Sequence, residues 1–179
     1  HNPPQYNGYK VYAADGAQLG PEAAEAVTGY IRSLQYADCV PMEEKEALEK
    51  GLLQIIGKKE VDDDYTAMIK SLALRPELLE EKGKDLNIVY TPLHGSGNVP
   101  VRRVLKELGV RVTVVPEQEK PDGRFPTVTA PNPEDPAAFQ LAIPLADQVG
   151  ATLVFGTDPD CDRLGAAVRD GQGAFHTLT

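Results

Sequence analysis

The sequence predicts an α/β protein, and three observations carry the prediction. After Lys82-Gly83-Lys84-Asp85, short apolar runs alternate with helix-period stretches, the order expected of a sheet covered by helices on both faces. Before that point the chain from Pro21 onward reads almost wholly as helix. Third, the apolar run ending at Phe155 leads into Asp158, Asp160 and Asp162, at the strand end where such sheets gather ligands.

The elements follow in order. His1-Asn2-Pro3-Pro4-Gln5-Tyr6-Asn7-Gly8 is turn chemistry with no element before it, and reads as a chain cut in mid-motif. Gly8 to Ala13 alternates as a strand, Asp15-Gly16 suggests a hairpin turn, and Ala17 to Leu19 a short return strand. Pro21 opens a helix to Leu34, with Ala24, Val27 and Ile31 on one face and Glu22 and Glu25 near its positive end. Residues 43–57 and 62–81 read as two further helices, the second capped by Asp62 to Asp64. A domain boundary is expected at Lys82, dividing the chain into 1–82 and 83–179. Beyond it come a strand Leu86 to Tyr90, a helix Asn98 to Leu108 and a strand Val110 to Val115. Pro116 to Pro136, with six prolines, is a long ordered loop or linker. A helix Asp135 to Val149, a strand Thr152 to Phe155 and a return strand Leu164 to Val168 complete the pattern.

Composition narrows the function. Of 179 residues, 41% are apolar and 25% charged, which is enough for a sizeable core. The net charge of −9 would repel nucleic acid and anionic membrane alike, so neither is an expected partner, and a phosphate-bearing ligand would need locally placed cations. Cys39 and Cys161 make no disulfide framework, and no run approaches the length of a membrane span or opens with a secretory leader, so a cytoplasmic protein with reduced thiols is expected.

Carboxylates at alternate positions can turn their oxygens to one point, where unneutralised they repel, so Asp158, Asp160 and Asp162 call for a hard cation such as Mg²⁺. A calcium EF-hand loop fails, because Arg163 stands where its glycine belongs and Arg169 where its bidentate glutamate belongs. Asp158 and Asp160 also suit an aspartyl phosphatase, with Asp158 as nucleophile, although Asp162 is unusual there. The bland alternative is a solvated acidic turn, against which three carboxylates and Arg163 directly after an apolar strand weigh. A second strand-end loop, Thr91-Pro-Leu-His94-Gly95-Ser96-Gly97, enters a helix whose free amides could hold an anion; a tight structural turn with a structural His94 explains the same residues.

Taken together these segments resemble the α-D-phosphohexomutase superfamily of phosphoglucomutases and phosphomannomutases. Asp158-Pro-Asp160-Cys-Asp162-Arg163 matches that family's Asp-x-Asp-x-Asp-Arg metal loop, and His1-Asn2-Pro3 matches its phosphoserine motif from the histidine onward, the serine being the residue before His1. Asn7-Gly8-Tyr9-Lys10 resembles its Asn-Gly-x-Lys segment. Tyr90-Thr-Pro-Leu-His-Gly-Ser-Gly97, Phe125-Pro-Thr127 and Pro131-Asn-Pro-Glu134 resemble the phosphoglucomutase branch that includes phosphopentomutase-type enzymes.

The resemblance implies a three-layer α/β/α mixed-sheet domain at 83–179, the family's second, preceded by the later part of its first at 1–82. It implies a sugar phosphate such as glucose 1-phosphate as substrate, isomerised by phosphoserine-mediated phosphoryl transfer with Mg²⁺ on Asp158, Asp160 and Asp162. It assigns acid/base or phosphate contacts to His1, Lys10 and Arg163, and phosphate or substrate contacts to His94 and Gly95. A chain lacking the serine and the family's later domains would be inactive alone, a metal-binding module being the non-enzyme alternative. An incomplete first domain would leave an open strand edge and helix face, so dimerisation through residues 1–35 is expected.

Overall fold

The computed structural model describes residues 5–6 and 8–178, without the side chain of Lys58. His1, expected beside the reacting phosphate, lies outside the described residues. The chain divides into two compact units, Asn7–Ile56 and a larger one of His1–Tyr6 with Gly57–Thr179.

In the smaller unit the expected hairpin is reduced to one antiparallel bridge, Tyr12 to Gln18, closed by a turn in which Gly16 takes φ +81° and Asp15 Oδ1 accepts from the Ala17 amide. Tyr9 and Tyr12 remain exposed, so neither strand gains the buried face that would extend the pairing. Helix α1 (Pro21–Ser33) starts on Pro21 as expected and buries no residue. The helix expected over 43–57 stops early, as α2 (Glu44–Glu49). Gly51 adopts a left-handed φ of +67°, its amide reaching Leu48 O at 3.1 Å and the Leu52 amide reaching Ala47 O at 2.9 Å, the paired bonds of a helix stop.

In the larger unit a π-helical turn, Lys58–Asp62, leads into α3 (Asp63–Ser71), and α4 (Pro76–Lys82) follows, where one helix was expected. Pro76 drives Arg75 out of the helical region, to φ −140°, and supplies the first turn of α4. The junction expected after Lys82 lies within this unit, where helices give way to the sheet. Strands β1 (Asn87–Thr91), β2 (Arg111–Val114), β3 (Leu153–Thr157), β4 (Leu164–Arg169) and β5 (Phe175–Leu178) form one sheet of order β2-β1-β3-β4-β5. The first three are parallel, linked through α5 (Asn98–Glu107) and α6 (Ala142–Val149). β4 runs antiparallel to β3 because the acidic loop between them is far too short for a crossover. The expected helix from Asp135 is broken: a 3₁₀ turn, Pro136–Phe139, precedes α6, since the Pro144 ring opposes helical continuation past the Gln140 carbonyl.

The core lies where Val89, Val154 and Ala167, aligned across three strands, meet Phe139, Ala142 and Ala146. Strand β1 is buried on both faces, as a central parallel strand must be. On its other face Tyr90 reaches toward the start of α5, with its hydroxyl 2.7 Å from Thr157 Oγ1. Both β1 and β3 therefore deliver their ends, and the loops that follow, to one edge of the sheet.

Candidate metal centre

The loop after β3 begins with a fully buried carboxylate. Asp158 survives burial because Arg163 answers it twice: the Arg163 amide donates to Oδ1 at 3.0 Å and its Nε to Oδ2 at 2.8 Å. A tight turn, in which the Cys161 amide donates to the Asp158 carbonyl at 3.0 Å, brings Asp160 and Asp162 round to the same point. One oxygen from each of the three carboxylates lies within 4.8 Å of the others. Octahedral Mg²⁺, with bonds of about 2.1 Å, sets neighbouring ligands about 3.0 Å apart and opposite ones about 4.2 Å apart, so the three carboxylates would have to draw in around the ion.

Electrostatics favour a cation there. Asp162 is pushed above the usual carboxylate range, first through its contact with the Asp158 carboxyl and then by the charges of Asp158 and Asp160. Two or three like charges held together favour a proton, and a divalent cation relieves the same repulsion. Arg163 is held more firmly in its charged form, chiefly by the bond to Asp158 and further by the charges of Glu134 and Asp162. Its Nη1 also donates to Asn132 Oδ1 at 3.3 Å. Cys161, between the ligands, has its thiol pushed up, by burial first and by the three aspartates as well, which makes it a poor nucleophile and a poor metal ligand.

The loop after β1 is pressed onto the acidic loop. Ser96 donates to the Pro159 carbonyl through both its amide, at 2.8 Å, and its hydroxyl, at 3.0 Å. A side chain on Gly95 would collide with the Pro159 backbone, its Cβ only 2.6 Å from the carbonyl oxygen and 2.8 Å from the carbonyl carbon. At Gly97 a Cβ would lie 2.9 Å from both Cys161 Sγ and Thr157 Oγ1 and would also strike the Tyr90 hydroxyl. Gly95 thus has a structural reason for being glycine: it lets two backbones touch. All four non-glycine residues with positive φ among those described, Leu93, His94, Phe125 and Cys161, lie in the three loops of this region. Each costs about 1 kcal/mol or more in backbone strain, which the surrounding contacts must hold.

His94 is buried, and both ring nitrogens are engaged. Nδ1 lies 3.1 Å from the Lys120 carbonyl, which can only accept, so Nδ1 carries the proton; Nε2 then accepts from the Thr127 hydroxyl at 2.8 Å. The chain of bonds continues inward. Thr127 Oγ1 accepts from Gln118 Nε2 at 3.0 Å, and Gln118 Oε1 accepts from the Thr91 hydroxyl at 2.6 Å. His94 in this state ties the proline-rich loop to the end of β1. Lys10 lies in the other unit, exposed, two residues before the bridge at Tyr12.

The structure brings Asp158, Asp160, Asp162 and Arg163 together, with Gly95 against their loop. Sequence reasoning missed Asn132, Gln118 and Thr127. The proline-rich stretch shows no periodicity, and only its Phe125-Pro-Thr127 and Pro131-Asn-Pro-Glu134 runs hinted at a role. A groove of about 430 Å³ beside the acidic loop is lined by Tyr65, Ile69, Ser96, Val101, Asp160 and Cys161.

Two family models match. Residues 63–171 match "Phosphoglucomutase/phosphomannomutase, alpha/beta/alpha domain II", and residues 1–38 match domain I of the same family. The chain is 39% identical over 177 residues to a phosphoglucomutase of Staphylococcus saprophyticus, covering 98% of this chain and 31% of that protein. It is 40% identical over 177 residues to a phosphoglucomutase of Staphylococcus aureus, covering 97% and 30%. A Haemophilus influenzae protein named "Probable phosphomannomutase" is 37% identical over 182 residues, covering 99% and 35%. A crystal structure of a phosphoglucomutase/phosphomannomutase family protein from Burkholderia thailandensis shares the fold at TM-score 0.50 and 23% identity, over 73% of this chain and 27% of that one. The chain thus spans about a third of the length of the curated relatives it matches.

Proposed function

The chain belongs to the phosphoglucomutase/phosphomannomutase family, and on that premise we propose that it is the metal-loop portion of a mutase that interconverts sugar 1-phosphate with 6-phosphate or 5-phosphate. The observation that supports this reading most is the acidic cluster: three carboxylates with oxygens within 4.8 Å of one another, backed by an arginine, at the carboxyl end of β3. Asp158, Asp160 and Asp162 would hold Mg²⁺, which when bound would neutralise charge on a transferring phosphoryl group.

The chain's own residues have definable tasks in such a reaction. Arg163 fixes the buried Asp158 in one orientation and keeps a permanent positive charge at the loop, suited to orienting a phosphate. The β1–α5 loop, through Ser96 and Gly95, sets the height of the Pro159 backbone and hence of Asp160 beside it. His94 serves as a tie within the protein, since its ring nitrogens are committed to Lys120 and Thr127. Lys10, and His1 next to the expected phosphoserine, would supply acid/base and phosphate contacts once the family's remaining domains complete the cleft. Asp158 is ill placed as a phosphatase nucleophile, because it is buried and both its oxygens accept from Arg163.

The test is a coupled assay of the full-length gene product with glucose 1-phosphate. Turnover that requires Mg²⁺ and collapses in Asp160→Asn is expected, with none from residues 1–179 alone. A full-length product that leaves hexose and pentose 1-phosphates unchanged would sink the reading.

A further inference from the structure

We propose that Asn132 is a positioning residue for the metal centre: it holds the Arg163 guanidinium on Asp158 and away from Asp162. The proposal rests on the metal reading above. Arg163 Nε has two carboxylates in reach, Asp158 Oδ2 at 2.8 Å and Asp162 Oδ1 at 3.9 Å. Only one arrangement leaves the acidic cluster ready for a cation. A guanidinium that swung onto Asp162 would release the buried Asp158 from its orientation and leave its charge without its Nε partner.

Asn132 biases that choice because its own position is fixed. Its Oδ1 accepts from the Glu134 amide at 3.1 Å, which sets the side-chain rotamer, and from Arg163 Nη1 at 3.3 Å, so it anchors the edge of the guanidinium away from the Nε that bonds Asp158. The next residue, Pro133, is fully buried, and its carbonyl occupies the space a side chain on Gly165 would need. Gly165 lies two residues after Arg163 at the start of β4, so the Pro131–Glu134 segment is locked to the backbone that carries Arg163. Glu134, in the same segment, adds an attractive charge toward the guanidinium. An alanine at 132 would keep the backbone lock and remove only the amide acceptor.

The experiment uses residues 1–179 and two readouts. Without metal, solvent exchange of the Arg163 Nε–H proton is followed by ¹⁵N NMR in wild type, Asn132→Ala and Asn132→Asp. The proposal expects exchange to accelerate several-fold in Asn132→Ala and to return toward wild type in Asn132→Asp, which keeps the acceptor; unchanged exchange in Asn132→Ala overturns it. Calorimetric Mg²⁺ titration is then expected to show affinity weakened about 3- to 10-fold in Asn132→Ala, below the range for partners that touch a metal ligand directly. In an Arg163→Ala background the same change should have no further effect, since Asn132 acts through Arg163; additive losses overturn the proposal. If wild type takes up no Mg²⁺, the metal reading fails, and the exchange measurement still decides the role of Asn132.

Discussion

The contact between the two loops makes a quantitative prediction at Gly95. An alanine there places a Cβ 2.6 Å from the Pro159 carbonyl oxygen, and the obstacle is backbone, so no side-chain rotation relieves it. Either the strain stays, at about 1–3 kcal/mol for overpacking, or the loops part and lose the two Ser96 bonds to Pro159, at about 1 kcal/mol each. Both routes converge on a loss of about 2–3 kcal/mol. Gly123 is the control: a Cβ added there would meet no atom within 4 Å and its φ is not positive, so Gly123→Ala should gain about 0.4–1 kcal/mol by restricting the unfolded chain. In urea, with a slope of about 1.5 kcal/mol/M, Gly95→Ala should lower the midpoint by about 1.3–2 M while Gly123→Ala leaves it level or slightly higher. Equal midpoints for the two variants would refute the close approach of the loops.

Four further outcomes follow from the structure. Asp162→Asn should raise the metal-free melting temperature by removing like-charge repulsion, and should abolish the rise that Mg²⁺ produces; a variant less stable than wild type without metal would contradict the crowding of charge. Because the folded pKa of Asp162 is raised, wild type without metal should gain stability from this group as pH falls through that value toward the unfolded value of about 3.9, the reverse of the usual carboxylate trend. Asp122 behaves in the ordinary way: bonds from the Arg124 side chain and amide lower it to about 2, so its contribution is present above about pH 4 and lost as pH falls toward 2. Arg124→Ala should return the Asp122 carboxyl toward its ordinary value in a ¹³C titration, and an unchanged midpoint would remove the pairing. Arg103, on α5, bonds Glu107 and Asp63, and with Lys70 ties α3 to α5; Arg103→Ala should lower the melting temperature in low salt and much less in about 1 M salt, whereas a salt-independent loss would point to packing instead.

The sheet, its central strands and the acidic loop were legible because each has a local signal: an apolar run for β1 and β3, and alternate aspartates after Thr157. Breaks in helices were less so. Helical periodicity carried across Arg75-Pro76 and Gln140-Leu141, where proline chemistry ends the helix on one residue's steric conflict. The four-residue β5 was missed although Asp170-Gly171 announces its turn, in which Asp170 Oδ1 accepts from the Gln172 and Ala174 amides. In the site, the grouping of the three carboxylates with Arg163 could be read from their spacing, but the groups that hold Arg163 and His94 could not. Asn132 stands 31 residues before Arg163, and Thr127 stands 33 after His94, in a stretch without period; only the folded loop brings each beside its partner.

The central claim is that Asp158, Asp160 and Asp162 form a divalent-cation site, and calorimetric titration of Mg²⁺ into residues 1–179 tests it most directly. One site per chain in wild type, lost in each of Asp158→Asn, Asp160→Asn and Asp162→Asn, is the predicted result. No binding in wild type, or binding that survives Asp160→Asn unchanged, would contradict it.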